Sequence, residues 1–441
     1  MLELNRTTYL INIKHEVVKM VVENSSVEAN KNIGYKAVLK QKEYMKLIAA
    51  NIINRFGDSI DAVAFTWLVF TLTDSAGWSA IIFGMNKVPT IFLQPFAGAL
   101  VENWNKKFIM VFTDIVRGLC VGLVAIMFIL ELLNPWILLV ITIIISSAEA
   151  FRGPAGTAVL PKILDKSCYE FGISLNSALS NVIELIGLAA VGAIIGFLGI
   201  QAAILIDAVT FFGSALIIIF IHSGDKNNEK INFSAKEYIT TLKDGLNYLK
   251  NKRIIQNFVL LAMIANAILV PLNSLQAPLV KDVLGQGEYM LSLISFLLVL
   301  GLCLGSMVYP YAAKYLKTSL IVLMGGISIS FYYLLLVLCG YISNHEILLY
   351  IICSISSLIT GSALSLLMSA VNVQFIKQVE AEYLARVGAI MSAGCVGAIP
   401  LVSFAVSLLT KLMSISGIFL IISSAGIIFF MIIYSIKVRF E

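Results

Sequence analysis

Apolar runs recur through the whole chain after its first 44 residues, each near the roughly 20 residues that cross a bilayer as a helix. They can be placed at 45–72, 77–101, 108–130, 135–151, 173–198, 200–222, 254–280, 288–312, 318–341, 346–375, 387–410 and 414–436. Backbone amides in hydrocarbon must be satisfied within the spanning segment, as they are in a helix, so this repeat leaves little choice of fold. Composition agrees. Of 441 residues, 59% are hydrophobic and 13% charged, with a mean hydropathy of +0.92, whereas a soluble domain is about a quarter charged. The expectation is an all-α membrane protein with twelve transmembrane helices. The cysteines have no paired spacing and mostly sit inside the runs, and no histidine lies deep in a span. Neither a disulfide framework nor a metal site is expected.

Basic residues set the orientation. With an even number of spans both ends share one side. That side receives the bases of the N-terminal segment, Lys106 and Lys107, the fourth connection with Arg152, Lys162 and Lys166, and a basic stretch before Arg253. The opposite connections hold Lys281 and Lys411 alone. Both termini are therefore expected in the cytoplasm. Residues 1–44 lack the compact apolar core of a secretory signal and read as a solvated tail. The longest charged connection divides the spans into two pseudo-symmetric six-helix bundles, 45–222 and 254–436, joined by a linker at 223–253 and closed by a short tail at 437–441. Within the linker, 238–249 carries apolar residues at three and four spacing, which fits an amphipathic helix on the inner membrane surface. Two bundles joined in this way are an architecture of transporters.

Charge inside the spans is lopsided. Arg55, Lys87, Arg117, Asp58, Asp61, Asp114, Glu149, Glu184 and Asp207 all fall in the first half, and the span interiors of the second half carry no Asp, Glu, Lys or Arg. Each charge at the bilayer centre costs a few kcal/mol on insertion scales, so such groups face protein or a water-filled cavity. Arg55, Asp58 and Asp61, three apart, share one helix face. Asp58, Lys87 and Glu184 lie near the midpoints of their spans and could meet between the first, second and fifth helices. Lys87 is the expected partner of Asp58 or Asp61, either as a permanent ion pair or as part of a working site. Glu184 has no basic neighbour in sequence and is a candidate proton carrier together with Asp58 and Asp61. Asp114 and Arg117, one turn apart, read as a structural pair, and Asp207 as a structural residue near the outer end of its span. In the second half Asn266, Asn273 and Gln276 flank Pro271, where a kink is expected. With Asn372 they could line a substrate cavity, or serve as interhelical glue.

The second run leads into Gly98-Ala99-Leu100-Val101-Glu102-Asn103-Trp104-Asn105-Lys106-Lys107. This resembles the loop 2–3 signature of the major facilitator superfamily, with Glu102, Asn103 and Asn105 replacing its Asp, first Arg and second Gly. The resemblance makes Gly98, Glu102, Lys106 and Lys107 a gate motif. Gly57-Asp58, Trp67 to Thr73, Val88-Pro89, Asp114 with Arg117, Phe151 with Pro154-Ala155, Leu160-Pro161, Leu175-Asn176, Leu205 to Phe211 and Arg386-Val387 resemble the macrolide-efflux and enterobactin-exporter branch. In the fifth span Gly187 precedes Leu188 where that superfamily's antiporters carry proline, with Gly192 and Gly196 following.

No Gly-x-x-x-x-Gly-Lys-Ser/Thr loop is present to drive transport with ATP. The reading is a secondary active transporter without cofactor, a multi-pass protein of the cell membrane. It would export bulky amphipathic molecules, such as macrolide-like or lipophilic drugs, in exchange for protons. Its expected partners are a small-molecule substrate, protons and the lipid bilayer, with no nucleic acid, and it is expected to be a monomer. Two alternatives stay open. One is export of a specific metabolite such as a siderophore, or lysolipid transport, in which Arg55, Lys87 and Arg117 would contact an anionic substrate. The other is a non-transporting receptor or scaffold. An enzyme is not expected, because Asp58 and Asp61 share one helix and the histidines are misplaced.

Overall fold

The computed structural model describes residues 34–222, 244 and 246–435, apart from a few positions within helices, Gly98 and Glu102 among them. The N-terminal segment before residue 34 and most of the expected surface helix at 238–249 lie outside the described residues, although 246–251 is helical. The long helices are α1 (Lys42–Thr73), α2 (Ala76–Asn103), α3 (Lys106–Ile129), α4 (Pro135–Ile163), α5 (Tyr169–Leu198) and α6 (Ile200–Ile219). They continue with α7 (Arg253–Ser274), α8 (Glu288–Tyr315), α9 (Thr318–Gly340), α10 (Glu346–Gln378), α11 (Ala381–Leu409) and α12 (Ile415–Ser435). Among the described residues, ten helices are long and apolar enough to cross a membrane, α3 to α12.

Local chemistry explains where the first helices begin. Ser75, Asn105 and Asn134 stand at the N-caps of α2, α3 and α4, and their side chains accept from the amides of Trp78, Phe108 and Ile137. Each satisfies a backbone donor that the first helical turn leaves free. Pro135 then occupies a first-turn position, where a missing N–H costs nothing.

The chain ahead of α1 is not wholly a solvated tail. Val38 is buried, as is Tyr44 in the first turn of α1, Tyr35 meets the ring of Phe171 edge-on, and the Gln41 side chain both donates to and accepts from Asp165 at 3.0 Å. Helix α7 runs through Pro271, where a kink is expected, and ends three residues later. Helix α7 stops at Ser274 and continues as a short turn, Gln276–Pro278, and a π-helical turn, Leu279–Val283. The hydroxyl of Tyr333 on α9 accepts from the Leu272 amide at 3.1 Å and donates to the carbonyl of Ile268. Those two groups stand four residues apart, so a foreign hydroxyl is inserted into the α7 ladder beside the proline.

Helix pairing repeats along the chain. α2 packs with α4, α3 with α6 and α1 with α5; α8 packs with α10, α9 with α12 and α7 with α11. Two further pairs, α2 with α11 and α5 with α8, join the early helices to the late ones. Glycine sets the closest approaches. A Cβ at Gly301 would stand 2.4 Å from the Leu358 carbonyl oxygen, and one at Gly361 would stand 2.2 Å from that of Leu298, so α8 and α10 touch backbone to backbone.

The contacts joining early and late helices cluster toward the end of the molecule that carries the α1–α2 turn. Gly84 lies against Ser403 and Pro400, Gly77 against Ser407 and Thr410, and Gly196 against Tyr289. The Ser292 hydroxyl accepts from the Gly192 amide at 3.2 Å and donates to the Leu188 carbonyl. Lys281, beyond α7, reaches Asp74 at 3.3 Å and lies over the Phe70 ring. Gly301→Ala should lower stability by about 1–3 kcal/mol, the usual cost of overpacking. Gly397→Ala, where an added methyl meets nothing within 4 Å, should be close to neutral; thermal unfolding of the two purified variants tests the contrast.

Candidate functional site

The face of α1 that carries Arg55, Asp58 and Asp61 is divided among its neighbours. A step of three residues rotates a helix by about 60° net, so Arg55 and Asp58 reach different helices. Arg55 Nη2 donates to Glu184 Oε2 of α5 at 2.6 Å, and Asp58 Oδ1 accepts from Arg117 Nη2 of α3 at 2.8 Å. Asp61 is half-buried and makes no ion pair among the described residues. Small residues allow this closeness. Gly187 of α5 faces Ser59, and a Cβ at Gly57 would fall 1.9 Å from Thr210 Oγ1 and 2.5 Å from Asp207 Oδ1. The glycines of the fifth span therefore do pack closely without the proline.

Several pairings differ from those expected. Glu184 does have a basic partner, Arg55, which approaches from 129 residues away. Asp58 pairs with Arg117 and not with Lys87, which makes no ion pair among the described residues. Asp114 and Arg117 do not pair with each other. Asp114 is fully buried, and its oxygens accept from Arg152 Nε at 2.9 Å and from the Ser214 hydroxyl at 2.7 Å. Arg152, expected in a connection, lies inside α4, because the helix runs on through Gly153 and Pro154 to Ile163. The Arg117 guanidinium also sits 4.1 Å from the Phe211 ring centre. Asp207 lies seven residues into α6 and is fully buried, with Oδ2 lacking a hydrogen-bond partner.

A cavity of about 510 Å³ opens among these groups. Asn51, Asn54, Arg55 and Asp58 of α1 line it, with Lys87, Thr90 and Gln94 of α2, Arg117 of α3, Glu149 and Arg152 of α4, and Asn176 and Ser180 of α5. Val396 and Ile399 of α11 supply an apolar patch. It lies toward the end opposite the glycine contacts. Glu184 borders it through Arg55, whereas Asp61 is not among its lining residues. A second hydrogen-bond chain closes one wall: Arg152 Nη2 donates to Asn51 Oδ1 at 3.4 Å, and Asn51 Nδ2 to Asn176 Oδ1 at 3.1 Å.

The amides expected in a substrate cavity are elsewhere. Asn266 donates to its own helix at the Ala262 carbonyl and Gln276 to Ser295, while Asn273 and Asn372 are exposed; none lines this cavity. Of the gate motif, Gly98 and Glu102 lie outside the described residues, Lys106 is buried and Lys107 half-buried. Arg152, Asn51, Asn54 and Asn176 line the cavity although sequence reading assigned them no part in the site, and Glu149, expected only as one of the span charges, joins them. The order Glu149–Phe151–Arg152–Pro154 could have found two of them, had the fourth helix been extended past its apolar run. No cluster able to hold a metal occurs among the described residues.

The chemistry available here is exchange of partners between carboxylates and cations, with room for a small molecule. The pairs differ in burial: Arg152 and Asp114 are 11% and 0% exposed, against 43% and 24% for Arg55 and Glu184. Arg152→Met, which strands a buried carboxylate, should cost about 3–5 kcal/mol. Arg55→Met should cost about 1 kcal/mol or less. Denaturant titration of both variants checks the ranking, and equal losses would contradict it.

Residues 34–440 match the family profile described as transmembrane secretion effector. The multidrug efflux pump Tap of Mycobacterium tuberculosis is 24% identical over 53% of this chain and 57% of its own length. The MFS-type transporter YfiS of Bacillus subtilis is 27% identical over 51% of this chain and 53% of its own. The chain thus spans only a little over half the length of these curated relatives. Macrolide efflux protein A of Streptococcus pyogenes is 20% identical over 74% of this chain and 80% of its own length. Among solved structures, the nucleoside transporter NupG superposes with a TM-score of 0.71 at 12% identity, over 90% of this chain and 100% of that one, a likeness of fold. The chain is a multi-pass membrane protein that belongs to the transmembrane secretion effectors of the major facilitator superfamily.

Proposed function

We propose that this transporter is a proton-coupled exporter of drug-sized amphipathic molecules that works by alternating access. The observation carrying the proposal is the pairing of a charged cavity at one end with close glycine and serine contacts at the other. Most helix pairings of α1–α6 recur in α7–α12, although α1 packs closely with α6 while α7 barely meets α12, and α2–α11 mirrors α5–α8, a partial repeat that supports two pseudo-symmetric six-helix bundles of a twelve-span carrier. With the basic connections in the cytoplasm, the glycine contacts form an outer seam and the cavity faces inward. A cavity of about 510 Å³ falls within the usual range for small-molecule sites, roughly 300–1,000 Å³. The names of Tap and macrolide efflux protein A support an efflux reading.

In this mechanism Asp58 and Glu184 release Arg117 and Arg55 when a proton replaces the cation, and Asp61, which has no such partner, takes a proton without displacing one. A ligand that binds one protonation state better than the other then shifts the population of the two arrangements. The whole chain in acid-loaded vesicles, offered erythromycin, ethidium or norfloxacin, should release protons with at least one of them. Glu184→Gln and Asp61→Asn should each abolish that release while leaving membrane insertion intact; undiminished release in both variants would remove these carboxylates from the coupling.

The seam carries its own pH dependence. Burial, then repulsion by Asp74, holds the Asp282 carboxyl above its ordinary value, and Lys281 only partly offsets them. A group whose pKa is raised in one state binds its proton more tightly there, so protonation favours the shut seam. That contribution is present at acidic pH and is lost as pH rises through the raised value. Asp282→Asn should therefore hold the seam shut at neutral pH, read as slower thiol labelling of a Ser407→Cys reporter; faster labelling would reverse the assignment.

A further inference from the structure

Most charges that line the cavity are answered within the protein. Arg55, Asp58, Arg117 and Arg152 each have an ion-pair partner, so these pairs add no net charge to the wall. Lys87 and Glu149 are the exceptions: both line the cavity, and neither makes an ion pair among the described residues. They stand on α2 and α4, which pack against each other.

Each has surroundings suited to a ligand group of opposite charge. Lys87, Thr90 and Gln94 follow at three- and four-residue spacing and all line the cavity, so they form one stripe of hydrogen-bond donors along α2. Such a stripe suits an oxyanion. One turn beyond Glu149, Gly153 lines the same cavity, and a Cβ placed there meets nothing within 4 Å. The wall is therefore open one turn from Glu149, on the cavity that both residues line. Val396 and Ile399 offer apolar contact to the body of the molecule.

A net cation would answer Glu149 but leave Lys87 unmatched. A net anion would do the converse. We propose that the cavity takes a zwitterionic amphiphile, its oxyanion on the Lys87–Thr90–Gln94 stripe and its ammonium on Glu149. The proposal rests on this cavity being the transported molecule's site, and it narrows the substrate class from amphipathic molecules in general to those carrying both charges.

The test is binding, kept apart from transport. The full chain in detergent is titrated with norfloxacin, a fluorescent zwitterion, and with its ethyl ester, which keeps the ammonium and loses the carboxylate. Norfloxacin should bind at least about tenfold tighter than the ester, in line with measured couplings of close charge pairs. Lys87→Met should erase that preference, and Lys87→Arg should retain it. Glu149→Gln should weaken both compounds while keeping their ratio. Melting curves confirm that each variant is folded. An ester that binds as tightly as the acid, a preference that survives Lys87→Met, or no norfloxacin binding at all would overturn the proposal. Proton release driven by ethidium in vesicles alongside any of those results would leave the exporter reading standing and sink only the zwitterion. Selective binding without proton release for any compound would do the reverse.

Discussion

The arrangement of the first half depends on one constraint: a charge surrounded by apolar helices must be answered by another helix. Asp114, Asp58 and Glu184 are each met by an arginine from a different element, at 2.9, 2.8 and 2.6 Å. The result ties α1 to α3 and α5, and α3 to α4, with Ser214 of α6 joining at Asp114. These bonds fix rotation as well as distance. A helix turned by one residue would carry its charged face about 100° away from its partners. The second half, with no such charges in its span interiors, relies on shape, with glycine backbones in contact between α8 and α10 and the Phe430 ring laid over Gly326.

Much of this was legible in the sequence because hydropathy and helix period act locally. The apolar runs located the helices, the proline located the break in α7, and the depth of Asp58 and Glu184 marked them as groups that need company. What could not be read was which company. Arg117 lies 59 residues from Asp58 and Arg55 lies 129 from Glu184, and nothing local distinguishes one distant cation from another. Proximity in sequence misled for Asp114 and Arg117, since neighbours on one helix turn can each find a better-placed partner across the interface. Arg152 was missed for a related reason: a hydropathy window ends where charge begins, whereas the helix itself continues once Asp114 answers that charge.

The contacts between early and late helices have a different character. Among the described residues they comprise glycine and serine contacts and one exposed ion pair, Lys281 with Asp74, beside an apolar cluster that Leu188 and Val191 of α5 share with Met290, Leu291 and Ile294 of α8. Exposed pairs of this kind contribute little, about 0–1 kcal/mol, and small residues bury little apolar area. Within the first half the Arg152–Asp114 pair is buried, whereas the ion pair that joins the early and late helices is exposed.

The phenol of Tyr333 has a mechanical consequence. Its hydroxyl accepts from Leu272 and donates to Ile268, so some of the backbone bonding of α7 is completed by α9. α9 cannot slide along α7 without opening two bonds at once in a dry setting. The stretch of α7 around Pro271 is thus braced by the helix behind it, up to the π-helical turn beyond, at Leu279–Val283.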